Sequence, residues 1–419
     1  MDKILVSGGR PLKGRVRVSG AKNASLAVLC AAMMASGEVV LDNVPAINDI
    51  FVLVDILRGL GAAVEWLERG VLRIQPPGRI DGAGATYPEV KKLRASSLLL
   101  GPLLARFGRA RVALPGGCNI GIRPMDLHFK GLVGLGGDLT LEHGCINAET
   151  EGLNGARIYL DFPSVGATEN IMMAACLAKG QTVIENVAKE PELVDLANFL
   201  NSMGARVRGA GTDVIKVEGT DGLSGGRYSI IPDRIEAGTF MVVAAASHGE
   251  VTVENVIPFH LQPVTAKLRE AGVEVEERED RILVRGGQRY QNIDIKTMPY
   301  PGFPTDMQSP FMALLCTVPG LSLVTENIFE NRFQVVNELK RMGASIKVEG
   351  RVAVIEGVPE IQGAQVRATD LRAGAALVIA GLMARGETEI SGAELIYRGY
   401  EDVIDKLAGL GAVIRVAES

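Results

Sequence analysis

The chain has 419 residues, a length that favours roughly two to four domains. Its 44 Lys and Arg against 49 Asp and Glu give a net charge of −5, which argues against a nucleic-acid-binding protein, since such domains usually carry a basic surface. Hydrophobic residues make up 47% and charged residues 22%, a composition typical of globular rather than disordered chains. The longest apolar segment, roughly 26–35, is shorter than a membrane span, and the N-terminus lacks the apolar stretch of a signal peptide, so we expect a cytoplasmic protein.

Cysteine and histidine spacings give no sign of a metal site or of a disulfide framework. The cysteines are Cys30, Cys118, Cys145, Cys176 and Cys316, an odd number without a CxxC pair. The histidines are His128, His143, His248 and His260, with no HxxxH or HExxH pair. P-loop and dinucleotide-binding glycine motifs are missing as well. We therefore expect no metal, no cofactor and no obligate protein partner.

A segment of about 70 residues is repeated along the whole chain. Each copy begins with a glycine and a short β-branched run, at Gly37, Gly108, Gly180, Gly249, Gly320 and Gly386. A second glycine follows in each copy within an LGA-like sequence, at Gly61, Gly136, Gly204, Gly272, Gly343 and Gly411. The second glycine is typical of the left-handed cap that ends a helix. The chain is thus predicted to contain six related units.

Each unit is predicted to contain a strand, an amphipathic helix, a glycine cap, a hairpin and a second helix. The second helices are almost wholly apolar, as in ASLAVLCAAMMA and AGAALVIAGLMA. A helix that is apolar on all sides is a buried helix. Six such helices predict a mixed α/β fold of two similar domains, each with three units, helices inside and sheets outside, divided near residue 230.

Polar residues interrupt the repeat at the starts of the buried helices and in the loops after the first strands. The helix starts carry Lys22 and Asn23, Arg94, Thr168 and Glu169, Arg234, Asp306 and Arg372. The loops add Arg123, Arg332 and Arg398, the last two both twelve residues after the first glycine of their unit. Helix N-termini favour anions, so basic residues there predict an anion-binding site on one face of each domain. The alternative is a set of solvated surface charges.

Cys118 lies in an unusual glycine-rich segment, LPGGCNIGIRPMDLH. The Pro and two Gly before it predict a loop, and Arg123 places positive charge five residues away, which favours the reactive thiolate. The alternative is an inert thiol, as we expect for Cys30, Cys176 and Cys316 inside apolar helices.

Asp306 lies in FPTDMQSP, after Thr305, which is a plausible helix N-cap. It either complements the helix dipole or acts as a general base facing an anion site. The segment TDLRAGAAL repeats the same arrangement with Thr369, Asp370 and Arg372.

Together these segments resemble the UDP-N-acetylglucosamine 1-carboxyvinyltransferase family of enolpyruvyl transferases. The matching motifs are SGAKNA (19–24), PGGCNIGIRPMDLH (115–128), SVGATEN (164–170), FPTDMQ (303–308), FENRF (329–333), ATDLRA (368–373) and YRGYE (397–401). The resemblance implies an inside-out α/β barrel in each of two domains, each built of three βαβαββ units. It also implies the boundaries 21–230 for one domain, and 1–20 plus 231–419 for the other.

The activity implied by the resemblance is transfer of the enolpyruvyl group of phosphoenolpyruvate to the 3-hydroxyl of UDP-N-acetylglucosamine, with release of phosphate. This reaction is the first committed step of peptidoglycan synthesis. It proceeds by addition to a tetrahedral ketal and then elimination, without a cofactor, and a fosfomycin-type inhibitor is expected to bind.

The resemblance also implies roles for individual residues. The catalytic residues would be Lys22, Cys118, Asp306 and Arg398. Phosphoenolpyruvate would contact Lys22, Asn23, Arg123, Arg332, Arg372 and Arg398. UDP-N-acetylglucosamine would contact Arg94, Arg123, Pro124, Met125, Asp126, Leu127, Ser164, Val165, Gly166, Asp306 and Ile328. Asp306 would receive the hydroxyl proton. Cys118 would protonate the enol carbon or assist product release, and would carry the family's covalent adduct.

Two positions depart from the pattern, because some relatives carry Lys where Phe162 and Asn48 stand here. Two alternative functions remain. One is the related 3-phosphoshikimate 1-carboxyvinyltransferase, which lacks the cysteine loop. The other is a catalytically idle regulatory paralogue, which would tolerate loss of Cys118, Asp306 and Lys22.

We expect an anionic epoxide of the fosfomycin type to alkylate Cys118 and to spare the other four cysteines, because nearby cations favour its thiolate. UDP-N-acetylglucosamine should accelerate the labelling. Cys118→Ser should abolish labelling and most turnover, whereas Cys118→Asp should retain turnover but resist the epoxide, because a carboxylic acid donates protons but is a poor nucleophile. Peptide mapping by mass spectrometry measures the adduct; an adduct on another cysteine, or a fully active Cys118→Ala variant, would contradict the assigned role.

Overall fold

The computed structural model describes residues 3–80, 94–114, 125–287 and 289–417, apart from the side chains of 94 and 95. These residues form two compact units. The N unit contains the described residues from 20 to 231, and the C unit contains 3–19 and those from 232 to 417. Each unit has its own hydrophobic core.

Twelve α-helices lie in the described ranges, and they alternate between buried and outer positions along the chain. In chain order they are α1 Lys22–Ala32, α2 Asn48–Gly59, α3 Leu100–Phe107, α4 Asp126–Gly134, α5 Val165–Ala175, α6 Pro191–Ser202, α7 Arg234–Ala246, α8 Gln262–Glu270, α9 Gln308–Leu315, α10 Val335–Arg341, α11 Leu371–Met383 and α12 Val403–Gly409. Short 3-10 helices cover Arg94–Leu99, Pro258–Leu261, Thr305–Met307 and Ala393–Leu395.

Twenty-three β-strands are present in the same ranges. They are β1 Lys3–Ser7, β2 Lys13–Arg17, β3 Val39–Asp42, β4 Ala63–Glu68, β5 Val71–Gln75, β6 Arg109–Ala113, β7 Asp138–Glu142, β8 Cys145–Glu149, β9 Arg157–Tyr159, β10 Gln181–Glu185, β11 Arg206–Arg208, β12 Val214–Glu218, β13 Gly226–Ser229, β14 Glu250–Glu254, β15 Glu274–Glu277, β16 Arg281–Arg285, β17 Ile295–Lys296, β18 Leu321–Thr325, β19 Ser345–Glu349, β20 Val352–Glu356, β21 Gln365–Arg367, β22 Glu387–Ser391 and β23 Val413–Ala417.

The apolar helices are buried as predicted. In α7 every residue from Ile235 to Ala246 is buried, and α9 is buried over its whole length. Cys30 lies inside α1, whereas Cys176 and Cys316 are the C-cap residues of α5 and α9, and all three are buried. Burial raises the pKa of Cys176 and Cys316 to about 12. No helix in the described part of the chain is both long and apolar enough to cross a membrane.

The described strands form six sheets, one for each repeat. The strand orders are β13-β3-β5-β4, β6-β8-β7 and β9-β10-β12-β11 in the N unit, and β2-β14-β16-β15, β17-β18-β20-β19 and β21-β22-β1-β23 in the C unit. Alternate residues of the central strands are buried, as in β10, β14 and β22, so one face of each sheet covers the helices. The predicted mixed α/β fold with inner helices and outer sheets is confirmed.

The LGA-like glycines end the outer helices of all six repeats in the left-handed conformation, which confirms the predicted caps. Their φ angles are 93° at Gly61, 96° at Gly136, 101° at Gly204, 92° at Gly272, 93° at Gly343 and 95° at Gly411. A residue with a Cβ atom is strained there, so the repeated glycine has a direct physical cause.

Two strands, β2 and β13, pair outside the repeat whose buried helix follows them. In three other places the strands before and after a buried helix form a parallel pair, namely β9 and β10, β17 and β18, and β21 and β22. By contrast, β2 precedes α1 but pairs with β14, and β13 precedes α7 but pairs with β3. The N-terminal strand β1 completes the sixth sheet between β22 and β23. One sheet of the N unit and two sheets of the C unit are therefore completed by strands distant in sequence.

Candidate active site

In the C unit, the Asp306 carboxylate is held between two buried guanidinium groups. Its Oδ1 accepts a hydrogen bond from Nη2 of Arg332 at 2.7 Å, and its Oδ2 accepts one from Nη2 of Arg372 at 3.1 Å. Arg332 is only 3% exposed and Arg372 only 5%. Charged groups are rarely buried to this degree unless they are paired, and two cations around one anion leave a net positive charge. The structure thus brings these three predicted residues together.

The local structure around Asp306 differs from the prediction at Thr305. Thr305 does not cap the helix; its hydroxyl donates to Oε2 of Glu326 at 2.9 Å, and the 3-10 helix Thr305–Met307 precedes α9. The interpretation of Asp306 as a simple complement to the helix dipole is also wrong, since its carboxylate bonds two arginines. Asp370, in contrast, is a true N-cap, with Oδ1 accepting from the backbone N–H groups of Arg372 and Ala373.

Aromatic rings support both arginines. The guanidinium of Arg332 lies 5.6 Å from the centre of the Phe329 ring, and that of Arg372 lies 5.3 Å from the centre of the Tyr400 ring. Burial opposes the charged form of Arg372, but Tyr400 and Asp306 overcome this effect and keep its pKa above the usual value. Stacking on an aromatic face stabilises a desolvated cation, so the Tyr400 ring helps Arg372 to stay charged in this apolar setting.

Two further predicted residues lie in nearby segments of the C unit. Arg398 is half-buried in the turn that follows the 3-10 helix Ala393–Leu395, two residues before Tyr400. Ile328 is half-buried, and its backbone N–H donates to Oε1 of Glu326 at 2.8 Å.

In the N unit, Lys22 begins the buried helix α1 and forms a salt bridge with Asp49. The Nζ atom lies 2.6 Å from Oδ2 of Asp49, and the two side chains are 13% and 7% exposed. The carboxylate offsets the unfavourable position of a cation at a helix N-terminus. Asn23 is exposed, and Asn48 is exposed at the start of α2. Sequence reasoning did not identify Asp49, which lies 27 positions from its partner.

Asn170 connects three segments that carry residues predicted to contact the UDP-sugar. Its side chain is fully buried in α5, Nδ2 lies 2.9 Å from Nδ1 of His128 in α4, and Nδ2 donates to the carbonyl of Ser97 at 3.0 Å. Its Oδ1 accepts from the backbone N–H of Gly101 at 2.7 Å. One amide thereby links the segments that contain Arg94, 125–127 and 164–166. The motif SVGATEN contained Asn170, but the sequence assigned it no role.

The start of α5 packs closely on His128. Ser164 caps this helix, its hydroxyl accepting from the backbone N–H of Ala167 at 3.4 Å. A Cβ atom on Gly166 would lie 3.2 Å from Cε1 of His128, so the absence of a side chain at Gly166 leaves room for the imidazole ring. Burial lowers the pKa of His128 to about 4, despite the opposing effect of Asp126. The ring is therefore neutral at pH 7.

The remaining predicted residues are distributed as follows. Val165 is half-buried, Met125 and Leu127 are half-buried against the core, and Asp126 is exposed. Phe162, one of the two departures from the pattern, is 50% exposed. Cys118, Arg123 and Pro124 lie outside the described residues, as does the side chain of Arg94. Within the described ranges no group of His, Cys, Asp and Glu is arranged to hold a metal ion.

Comparison with known proteins gives consistent results over the whole chain. The sequence profile of the EPSP synthase (3-phosphoshikimate 1-carboxyvinyltransferase) family matches residues 6–407. The chain is 58% identical to UDP-N-acetylglucosamine 1-carboxyvinyltransferase 2 of Carboxydothermus hydrogenoformans over 416 residues, 99% of both chains. It is 53% identical to UDP-N-acetylglucosamine 1-carboxyvinyltransferase 1 of Caldanaerobacter subterraneus over 412 residues, 98% of this chain and 99% of the other. The chain belongs to the UDP-N-acetylglucosamine 1-carboxyvinyltransferase family.

Solved structures show the same fold. The enolpyruvyl transferase NikO from Streptomyces tendae is similar with a TM-score of 0.89 and 24% identity, over 100% of this chain and 99% of the other. EPSP synthase from Acinetobacter baumannii is similar with a TM-score of 0.77 and 22% identity, over 100% of both chains. At this level of identity the likeness concerns the fold, whereas the curated relatives define the family.

We expect His128 to make the stability of the protein dependent on pH below neutrality. In the unfolded chain an imidazole binds a proton near pH 6.5, whereas the folded ring resists protonation until about pH 4. The contribution is therefore fully present above pH 6.5 and is lost as the pH falls towards 4, by up to about 3 kcal/mol. Thermal denaturation between pH 4 and 7.5 measures the loss. His128→Asn, which keeps an acceptor for Asn170 but cannot titrate in this range, should show a smaller decline.

The matched control is His143→Asn. His143 is exposed and has a left-handed backbone with φ 51°, which asparagine tolerates well. This variant should keep the pH dependence of the parent protein. Equal pH dependence of the parent and His128→Asn would show that His128 does not contribute in this way.

Proposed function

We propose that this chain transfers the enolpyruvyl group of phosphoenolpyruvate to the 3-hydroxyl of UDP-N-acetylglucosamine and releases phosphate, the first committed step of peptidoglycan synthesis. The observation that carries the proposal is the pairing of Asp306 with two buried arginines, which combines a proton acceptor with an anion site. The names of relatives at 53–58% identity give the acceptor, UDP-N-acetylglucosamine, and the carboxyvinyl group that they transfer. We also propose that the protein acts in the cytoplasm.

Phosphoenolpyruvate carries a phosphate and a carboxylate, and a planar guanidinium group binds either of them in a bidentate manner, through two parallel hydrogen bonds. The proposed contacts are Lys22, Asn23, Arg123, Arg332, Arg372 and Arg398. Arg332 supports this role because its buried Nε has no hydrogen-bond acceptor among the described residues, while its Nη2 bonds Asp306. A buried donor without an acceptor is costly, and a substrate oxygen would remove that cost.

Asp306 is the proposed base for the 3-hydroxyl proton. Its two salt bridges stabilise the carboxylate and make it a weak base. When an anionic substrate engages Arg332 or Arg372, part of that positive charge is neutralised, and the affinity of Asp306 for a proton rises. Binding of phosphoenolpyruvate would thus prepare the base for the addition step. Cys118 is proposed to protonate the enol carbon or to assist product release, with Lys22 and Arg398 beside the reacting groups.

The N unit is proposed to bind the UDP-sugar through Arg94, Arg123, Pro124, Met125, Asp126, Leu127, Ser164, Val165 and Gly166. Asp306 and Ile328 of the C unit complete the set. Residues 164–166 lie at the N-terminus of α5, where free backbone N–H groups and the helix dipole favour a diphosphate. We propose that this division corresponds to the domains 21–230, and 1–20 plus 231–419.

The second candidate function is that of 3-phosphoshikimate 1-carboxyvinyltransferase, because that family's profile matches residues 6–407. The cysteine-containing segment PGGCNIGIRP argues against it. We expect phosphate release from phosphoenolpyruvate with UDP-N-acetylglucosamine and none with shikimate 3-phosphate. A coupled phosphate assay with each acceptor measures this. Turnover with shikimate 3-phosphate alone would establish the second function, and turnover with neither would favour an idle paralogue.

Replacing Asp306 should separate proton transfer from binding. Asp306→Asn keeps the shape and one acceptor oxygen but cannot accept the hydroxyl proton, so we expect kcat to fall about 10²–10⁴-fold. Affinity for UDP-N-acetylglucosamine, measured by calorimetry, should change little. Asp280→Asn, an exposed aspartate beside Arg281, is the matched control and should retain kcat. A variant with full kcat and weakened binding would show that Asp306 is only a ligand contact.

A further inference from the structure

The residue that follows the first strand of a repeat has a common structure in three repeats. It is an asparagine with a left-handed backbone, at Asn43, Asn186 and Asn255, with φ of 58°, 56° and 58°. Its side-chain Nδ2 donates to the carbonyl of the residue that follows the neighbouring parallel strand, namely Ile230, Leu160 and Val18. Each asparagine thereby closes the end of a parallel strand pair.

The fifth repeat contains one additional residue at this point. Strand β18 ends at Thr325, and the equivalent asparagine is Asn327, whose Nδ2 donates to the carbonyl of Thr297 at 3.0 Å. The backbone register is the same as elsewhere, since Thr297 N–H donates to Thr325 O as Val18 N–H donates to Glu254 O, both at 3.0 Å. Glu326 is therefore inserted between the strand and its asparagine.

The Glu326 carboxylate is fully buried and accepts four hydrogen bonds from neutral donors. Oε1 accepts from the hydroxyl of Thr297 at 2.9 Å and from the backbone N–H groups of Ile328 at 2.8 Å and Phe329 at 3.1 Å. Oε2 accepts from the hydroxyl of Thr305 at 2.9 Å. Burying a carboxylate is costly, and several well-placed donors are needed to offset that cost.

Three of these donors, all except Thr297, belong to the two segments that form the Asp306–Arg332 salt bridge. Thr305 directly precedes Asp306, and Phe329 supplies the ring on which Arg332 stacks. One buried carboxylate thus fixes the backbone beside the proposed base and the aromatic support of its cation. A shift in either segment would lengthen the 2.7 Å contact between Asp306 and Arg332.

We propose that Glu326 is a positioning residue for the reaction, an inserted carboxylate that sets the distance and orientation of Asp306 relative to Arg332. It acts through Thr305 and the backbone of Ile328 and Phe329. The role in catalysis rests on the proposed function, whereas the role in geometry does not.

The sharpest test compares Glu326→Gln with Thr305→Val. Glutamine can keep its oxygen at the three donors near Oε1, but its NH2 group then faces Thr305 and reverses that bond. Misplacement of about 1 Å can cost up to roughly 10²-fold in rate, so we expect kcat to fall about 10- to 10²-fold in each variant. KM for UDP-N-acetylglucosamine and the melting temperature should change little. Because both variants change the same hydrogen bond between residues 305 and 326, the double variant should lose less than the product of the two effects. Glu326→Ala should lower kcat more than Glu326→Gln does, because alanine keeps none of these hydrogen bonds.

Glu338→Gln is the matched control, because Glu338 is also buried in the C unit and accepts a backbone N–H, that of Arg367, at 3.0 Å. It should retain kcat. Unchanged kcat in both Glu326→Gln and Thr305→Val would overturn the proposal, as would losses of kcat that follow the folded fraction alone.

A crystal structure of Glu326→Ala gives a readout that does not require activity. The separation of Asp306 from Arg332 should exceed 4 Å, and retention of the native contact would overturn the proposal. If the parent enzyme shows no turnover, the proposed function fails, and this structure still decides the positioning role.

Discussion

Helices without a polar face must be covered on every side, and this constraint shapes both units. In each unit the sheets supply the cover, with alternate strand residues turned towards the helices. The sides of the inner helices are then unavailable for chemistry, and polar groups can reach solvent only at the helix ends. Lys22, Arg372 and the Ser164 cap all lie at such ends. The positive end of a helix dipole favours anions, so the packing places these polar groups where an anionic ligand is favoured.

The proposed anion sites contain their own counter-charges. Asp306 faces two arginines and Asp49 faces Lys22, so the cations are not left unpaired in an apolar environment. A substrate oxygen would replace a carboxylate at such a cation with little additional desolvation, because the cation is already buried. At Asp306 the same exchange would raise the basicity of the proposed base. The ion pairs that keep these buried charges paired are therefore the same ones on which the proposed mechanism depends.

Departures from the repeat coincide with the proposed chemistry. Three repeats end their first strand with a left-handed asparagine, whereas the fifth inserts Glu326 beside the segments of Asp306 and Arg332. In the buried helix α5 the amide of Asn170 links three segments that carry proposed site residues. A repeated scaffold maintains the fold, so single residues can be altered to position a site.

The sequence by itself determined the six repeats, the buried helices, the glycine caps and the family, because these depend on local periodicity, on φ angles that only glycine tolerates, and on contiguous motifs. It also selected Asp306, Arg332 and Arg372 as site residues, but it assigned Thr305 to a cap that does not exist. Only the tertiary structure decided that β2 pairs with β14 and β13 with β3, that Asp306 pairs with both arginines, and which donors and acceptors Asn170 and Glu326 contact. These features are contacts between residues far apart in the chain, such as Asp306 and Arg372 at a separation of 66 positions, and no local pattern encodes which distant donor a buried carboxylate will meet.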